Sequence, residues 1–311
     1  MNSFNVITSW ANIVAALVMF LCSAIGLFIN LSIIRSFIVD KRQKTAFNLI
    51  CVFRSINNSI ILTVAFSLIF LPATVLGFSF YSPMLETVLI TISLNLMVYN
   101  EFQGIYLSVN RLFAIIFPIK YNLFFGIKAT LLFHVLYYLD RIRNVTFENI
   151  DRFNVSTFML YSVDYLAYGG FMVVPNEMLI WSAVLLVIPF IINSITYIRF
   201  YYLKKTMTRS RENLRNAKKN MRLFAQTMFQ DSLFPINVIF TMKLNLLSRN
   251  RLWTFFTQTF MWQIVHVLDG FIMLMFNEKL SLLRKRMVSK ATPSVSWRNT
   301  GTAMKYPTIV N

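Results

Sequence analysis

The stretch ANIVAALVMFLCSAIGLFINLSII (Ala11 to Ile34) runs for 24 residues without a charge. A helix rises 1.5 Å per residue, so about 20 apolar residues cross the roughly 30 Å hydrocarbon core of a bilayer. This segment is long enough to do so, and it reads as a membrane span. No Lys or Arg stands in the residues before it, so the basic region that opens a cleaved signal peptide is missing. The rest of the 311-residue chain agrees: 57% of it is hydrophobic and only 14% charged, against roughly 25% charged in a soluble domain. Its mean hydropathy is +0.59.

Six further apolar segments follow, at about 47 to 71, 86 to 109, 127 to 140, 178 to 200, 222 to 243 and 252 to 276. The expected architecture is all-α, a polytopic bundle of seven transmembrane helices. Residues 10 to 285 form the membrane domain and 286 to 311 a tail. The net charge of +18 could suggest nucleic acid, but the basic residues lie between the spans, where they record sidedness instead. Of the 30 Lys and Arg, 23 fall in alternate connections and the tail, six on the opposite side, and Arg54 within a span. Positive charge stays inside, which places the amino terminus outside and the carboxy terminus in the cytoplasm. Two sequons, at Asn144 and Asn154, then fall in the lumenal loop as glycosylation candidates.

The fourth span is short. Only 11 uncharged residues separate Lys128 from Asp140, about 16 Å of helix. Either Lys128 and Arg141 snorkel while the helix continues into the loop, or Phe153 to Val174, with Asp164 its one charge, is the true span.

At the inner end of the third span stands NRLFAIIFPIKY (Asn110 to Tyr121). It resembles the Asp-Arg-Tyr region of rhodopsin-like G-protein-coupled receptors in Asn110, Arg111, Ala114, Ile115, Pro118, Lys120 and Tyr121. FNLICVFRSINN in the second span, FAQTMFQDSLFPINVIF in the sixth and WQIVHVLDGFIMLMFNEKL in the seventh are similar to a nematode chemoreceptor family, serpentine receptor class X. The resemblance covers most of residues 10 to 285 and implies a chemosensory receptor in the plasma membrane of sensory-neuron cilia. An unknown small ligand and a heterotrimeric G protein would be its partners. By the same resemblance, Arg111 caps the inactive bundle and is released toward the G protein when the sixth helix swings outward. Asn110 cannot ion-pair with it as an aspartate would, so the restraint is weaker and basal activity higher. Pro189 and Pro235 stand where the fifth and sixth helices of such receptors kink. The pattern is departed from in three places. The loop cysteine and its partner at the third span are missing, Arg54 stands near the usual second-span aspartate, and Asp269-Gly270-Phe271-Ile272-Met273 replaces the Asn-Pro-x-x-Tyr signature.

Four charges lie inside spans: Arg54, Glu101, Asp231 and Asp269. Counted from the inner helix ends they share a layer roughly 11 to 15 Å deep. An unpaired charge there costs about 3 kcal/mol, so an interior network is expected, with Arg54 and Asp269 a geometrically reasonable pair. The plainer reading has Arg54 snorkelling to the headgroups and Glu101 bonded to Asn95 or Asn100. His266, one turn from Asp269, reads as a core histidine, and with no second histidine near it no metal is expected. No cofactor is expected either. Gly-x-Ser-x-Gly, His-Glu-x-x-His, phosphate-binding glycine loops and Cys-x-x-Cys are absent. Asp231 and Asp269 lack the contexts of aspartyl intramembrane proteases, so an enzyme is not expected. A transporter using the charged layer, or a degenerate receptor, is the alternative. On the cytoplasmic side KKTMTRSRENLRNAKKNMR (Lys204 to Arg222) favours helix and attracts anionic lipid. Leu280, Leu283 and Met287 suit a helix lying in the interface.

Overall fold

The computed structural model describes residues 10–276 apart from 79, 118, 155–175, 207–210 and 249. Among these residues there are helices, turns and no strand. Seven long helices are present: α1 Trp10–Val39, α2 Ala46–Leu76, α3 Pro83–Ile116, α4 Ile127–Asn154, α5 Asn176–Thr206, α6 Arg211–Met242 and α7 Arg251–Phe276.

Local chemistry sets their ends. Thr45 caps α2, its hydroxyl accepting from Asn48 N at 3.2 Å. Leu76 closes the helix before Gly77, whose φ of 75° is the left-handed conformation that glycine adopts without strain. Ser82 caps α3, followed at once by Pro83 and by Glu86 in the first turn; a proline there gives up no helical hydrogen bond and the acid faces the positive dipole end. Asn250 caps α7, and Trp253 Nε1 donates to Leu244 O at 2.8 Å to close the preceding turn.

Polarity is inverted relative to a soluble fold. Along α1, Ala16, Met19, Ser23, Gly26, Asn30 and Ile33 are buried at alternating spacings of three and four. Leu17, Phe20 and Phe28 point outward. The buried side chains of the molecule include many asparagines and glutamines, while its surface carries leucine, isoleucine and phenylalanine. Lipid satisfies the outer residues, and the polar groups must find one another inside. Small residues close the bundle: a Cβ on Gly26 would lie 2.6 Å from Leu62 Cδ1, and one on Gly270 would lie 2.8 Å from Asn30 Oδ1. Asn30 itself bonds back to Gly26 O at 2.9 Å, so α1 and α7 meet across side chains with almost no bulk.

Three features extend or depart from the sequence reading. First, α4 begins at Ile127 as expected, but the apolar run begins before it. A five-residue helix, Tyr121–Phe125, precedes α4, and the apolar run from Tyr121 to Leu139 has Lys128 as its only charge. Gly126, with an extended ψ of 161°, separates the two helices, so the added apolar length is a second short helix on the Arg111 side, anchored by Phe125 against Tyr106 and Phe113 at ring distances of 5.3 and 5.4 Å. The helix also continues to Asn154; most of the alternative span lies outside the described residues. Second, α5 runs to Thr206 and α6 starts at Arg211, both beyond the apolar segments, as the helix-forming composition of Lys204 to Arg222 leads one to expect. Third, α2 and α7 contain π-helical turns at Leu62–Phe70 and Phe256–Phe260. Phe66 and Phe70 of the first turn pack on Trp262, with ring centroids 4.9 and 6.0 Å apart. A π turn shifts side chains by one position, which a 3.6-residue template does not anticipate. The helix expected after residue 276 lies outside the described residues.

Four helical stretches are long and apolar enough to cross a membrane by composition: Trp10–Val39, Ala46–Leu76, Tyr121–Thr146 and Arg251–Phe276. The other three, α3, α5 and α6, are 34, 31 and 32 residues long. Asn100, Asn193, Gln230 and similar residues on their inward faces dilute their apolar character.

Candidate functional site

The site grows from one face of α2. Ile50, Arg54, Asn57, Asn58 and Ile61 recur at helical spacing and are all buried. From this face Arg54 reaches α7: its Nε lies 2.8 Å from Asp269 Oδ2, with side chains 7% and 3% exposed. Neither charge reaches water, so each depends on the other; removing one partner of such a pair costs about 3–5 kcal/mol. Arg54 therefore does not snorkel.

Asp269 has two further donors. Asn58 Nδ2 donates to Oδ2 at 2.7 Å and Gln230 Nε2, from α6, to Oδ1 at 2.8 Å. Asn58 Oδ1 in turn accepts from Asn100 Nδ2 and from His266 Nδ1, both at 2.8 Å. Because a carboxamide oxygen only accepts, His266 carries its proton on Nδ1. Asn57 Nδ2 donates to Asn100 Oδ1 at 2.8 Å, and Tyr138 OH, from α4, to Asn57 Oδ1 at 2.5 Å. Five helices thus meet in one connected set of hydrogen bonds.

The other two acids are placed differently. Asp231 is partly buried, and its Oδ2 accepts from Asn193 Nδ2 at 2.9 Å and Ser108 Oγ at 3.5 Å. Glu101 is partly buried and forms no ion pair among the described residues. It does not use Asn95, which bonds Thr91 O, or Asn100, whose Oδ1 and Nδ2 engage Asn57 and Asn58. The one cation of the layer is in contact with one acid rather than three.

At the C-terminal end of α3, Arg111 is 7% exposed and lies over the Phe47 ring, 4.6 Å from its centroid. Its Nε and Nη2 are buried with no hydrogen-bond partner among the described residues, and no carboxylate there is within ion-pair distance. Stacking on an aromatic face holds a guanidinium without consuming its donors. Asn110 is also buried; its Oδ1 accepts from Tyr121 OH at 3.2 Å, and its Nδ2 is unpartnered. Lys120 precedes the short helix, while Pro118 lies outside the described residues. Pro189 and Pro235 sit inside α5 and α6, each removing one backbone donor. Asn144 lies within α4, its Nδ2 3.4 Å from Asp140 Oδ2. Asn154 is the last residue of that helix.

Sequence reasoning passed over Asn57, Asn58, Gln230, Asn193 and Ser108 as parts of the site. The signal was present: two consecutive asparagines in an apolar span need partners, because lipid offers none.

A bundle of seven helices with an apolar exterior and a polar interior is the build of a seven-helix membrane protein. Residues 20–277 match the family of serpentine type 7TM GPCR chemoreceptors, Srx, and the chain belongs to that family. It is accordingly a multi-pass membrane protein. No curated protein sequence matches it.

Proposed function

We propose that this protein is a chemosensory G-protein-coupled receptor that binds a small ligand and signals to a heterotrimeric G protein through the Arg111 end of the bundle. That end faces the cytoplasm, with the amino terminus outside; the charge bias of the connections supports this sidedness. The plasma membrane, in sensory cilia, is its place of action, and the chain is not an enzyme. Anionic lipid contacts the basic α5–α6 connection.

The observation that carries the reading is Arg111. A buried guanidinium with two unused nitrogens is costly unless something later uses them. An incoming backbone or carboxylate acceptor would do so once α6 moves away. Asn110, held by Tyr121 rather than ion-paired, leaves Arg111 free to respond. The test is Arg111→Ala in cells expressing the receptor with a matched G protein. Surface level should stay near that of the unmodified receptor and nucleotide exchange should fall to background. Undiminished exchange would refute coupling through this residue.

A further inference from the structure

The cation of the interior layer is engaged on one side only. Arg54 gives Nε to Asp269, whereas its Nη1 is buried and has no hydrogen-bond partner among the described residues. That nitrogen lies toward α6, across Gly104. A Cβ on Gly104 would stand 4.0 Å from Arg54 Nη1 and 3.0 Å from Asp231 Oδ1, so the missing side chain keeps the space between cation and acid open. Asp231 receives both its donors, Asn193 and Ser108, on Oδ2, which leaves Oδ1 turned to the gap. Asp269 is provided for in a different way: Asn58 on α2 would still donate to its Oδ2 if Arg54 left.

We propose that Arg54 is a cation shared between two seats, paired with Asp269 on α7 in the arrangement described and transferable to Asp231 on α6. The seat it occupies sets whether α6 is tied to α7. Gln230 and Asp231 are consecutive, so they point about 100° apart around α6. Gln230 faces Asp269 and Asp231 faces Gly104. A turn of α6 that brings Asp231 onto Arg54 takes Gln230 off Asp269, so gaining the second seat dissolves the interior tie between α6 and α7 and leaves the contact of Arg222 with Phe276 O at their ends. Arg54 is a positioning residue in this scheme and touches no ligand. The transfer rests on the receptor reading, in which α6 movement is the output, but it can be read without a G protein.

The experiment measures surface labelling of the full-length chain. Asp269→Asn leaves Arg54 a second acid and should keep surface level within about threefold of the unmodified protein; Asp231→Asn should do the same. Made together in a Glu101→Gln background, which removes the third acid of the layer, they strand the cation, and surface level should fall more than tenfold, well beyond the product of the single losses in that background. Adding Arg54→Leu to that variant removes the stranded charge and should restore export to within about threefold. Helix position is read on Met221→Cys, an exposed site on α6, labelled with bimane in a Cys22→Ser/Cys51→Ser background. Asp269→Asn should shift its emission. Losses that merely multiply, no recovery on adding Arg54→Leu, or an unshifted emission would each overturn the transfer. Synergy in a chain that never activates a G protein would support the transfer and refute the functional reading.

Discussion

Replacing Asn110 by aspartate puts an acid of the same shape beside an arginine that already lacks partners. Arg111 has lost its water, and its Nε and Nη2 stand unused, so the cost of burying the guanidinium is present before the substitution. Tyr121 OH can go on donating to the same oxygen, 3.2 Å away. Only the new carboxylate must be desolvated, and a charge-assisted hydrogen bond contributes about 1.5–3 kcal/mol net. The Asn110 side chain is 3% exposed, so the lower part of that range applies. About 1.5 kcal/mol corresponds to roughly tenfold in an equilibrium. The state in which Arg111 is withdrawn should therefore gain about tenfold, and ligand-free signalling should drop by the same factor. The assay is nucleotide exchange on a heterotrimeric G protein in membranes matched for surface receptor. Basal exchange equal to or above the unmodified level would show that Arg111 is not the restrained element.

Two further outcomes test the packing and the sidedness. Gly270→Ala places a Cβ 2.8 Å from Asn30 Oδ1, an overpacking that costs about 1–3 kcal/mol; the thermal midpoint of the detergent-solubilised receptor should fall and recover when Asn30→Ala is added. Glycosidase should increase the gel mobility of the receptor, and Asn144→Gln with Asn154→Gln should abolish that shift; an unshifted unmodified receptor would place this loop on the cytoplasmic side.

Runs of apolar residues made α1, α2 and α7 legible, because a span is a local property of twenty residues. Depth along a helix was legible too: counting from the helix ends puts Arg54 and Asp269 in one layer, where they lie 2.8 Å apart. Rotation about the helix axis was not. Glu101 and Asp231 share that depth but form no ion pair with Arg54 among the described residues, and a residue count cannot separate them. Asn57 and Asn58 show the same limit, since neighbours about 100° apart share Asn100 but otherwise serve different partners, Tyr138 for one, Asp269 and His266 for the other. The apolar stretch ahead of the fourth helix was not legible because Lys128 interrupts the run; Phe125, buried against α3, shows that packing seats a separate short helix there. The π turns depend on where Trp262 meets Phe66, a contact across 196 residues.

The amides between α4 and α7 form a row with a sense of direction. Tyr138 donates to Asn57, Asn57 to Asn100, Asn100 to Asn58 and Asn58 to Asp269. An amide can face either way, and a hydroxyl can give or receive, but a carboxylate can only receive. Asp269 therefore sets the orientation of every group behind it, including ones on helices it does not touch. Put an amide in its place and Arg54, which only donates, would still call for an oxygen at the position of Oδ2, so a reversed row would lose the bond from Arg54 Nε. An acceptor on α7 and a donor-only cation on α2 thus share the task of keeping neutral side chains on three helices in register.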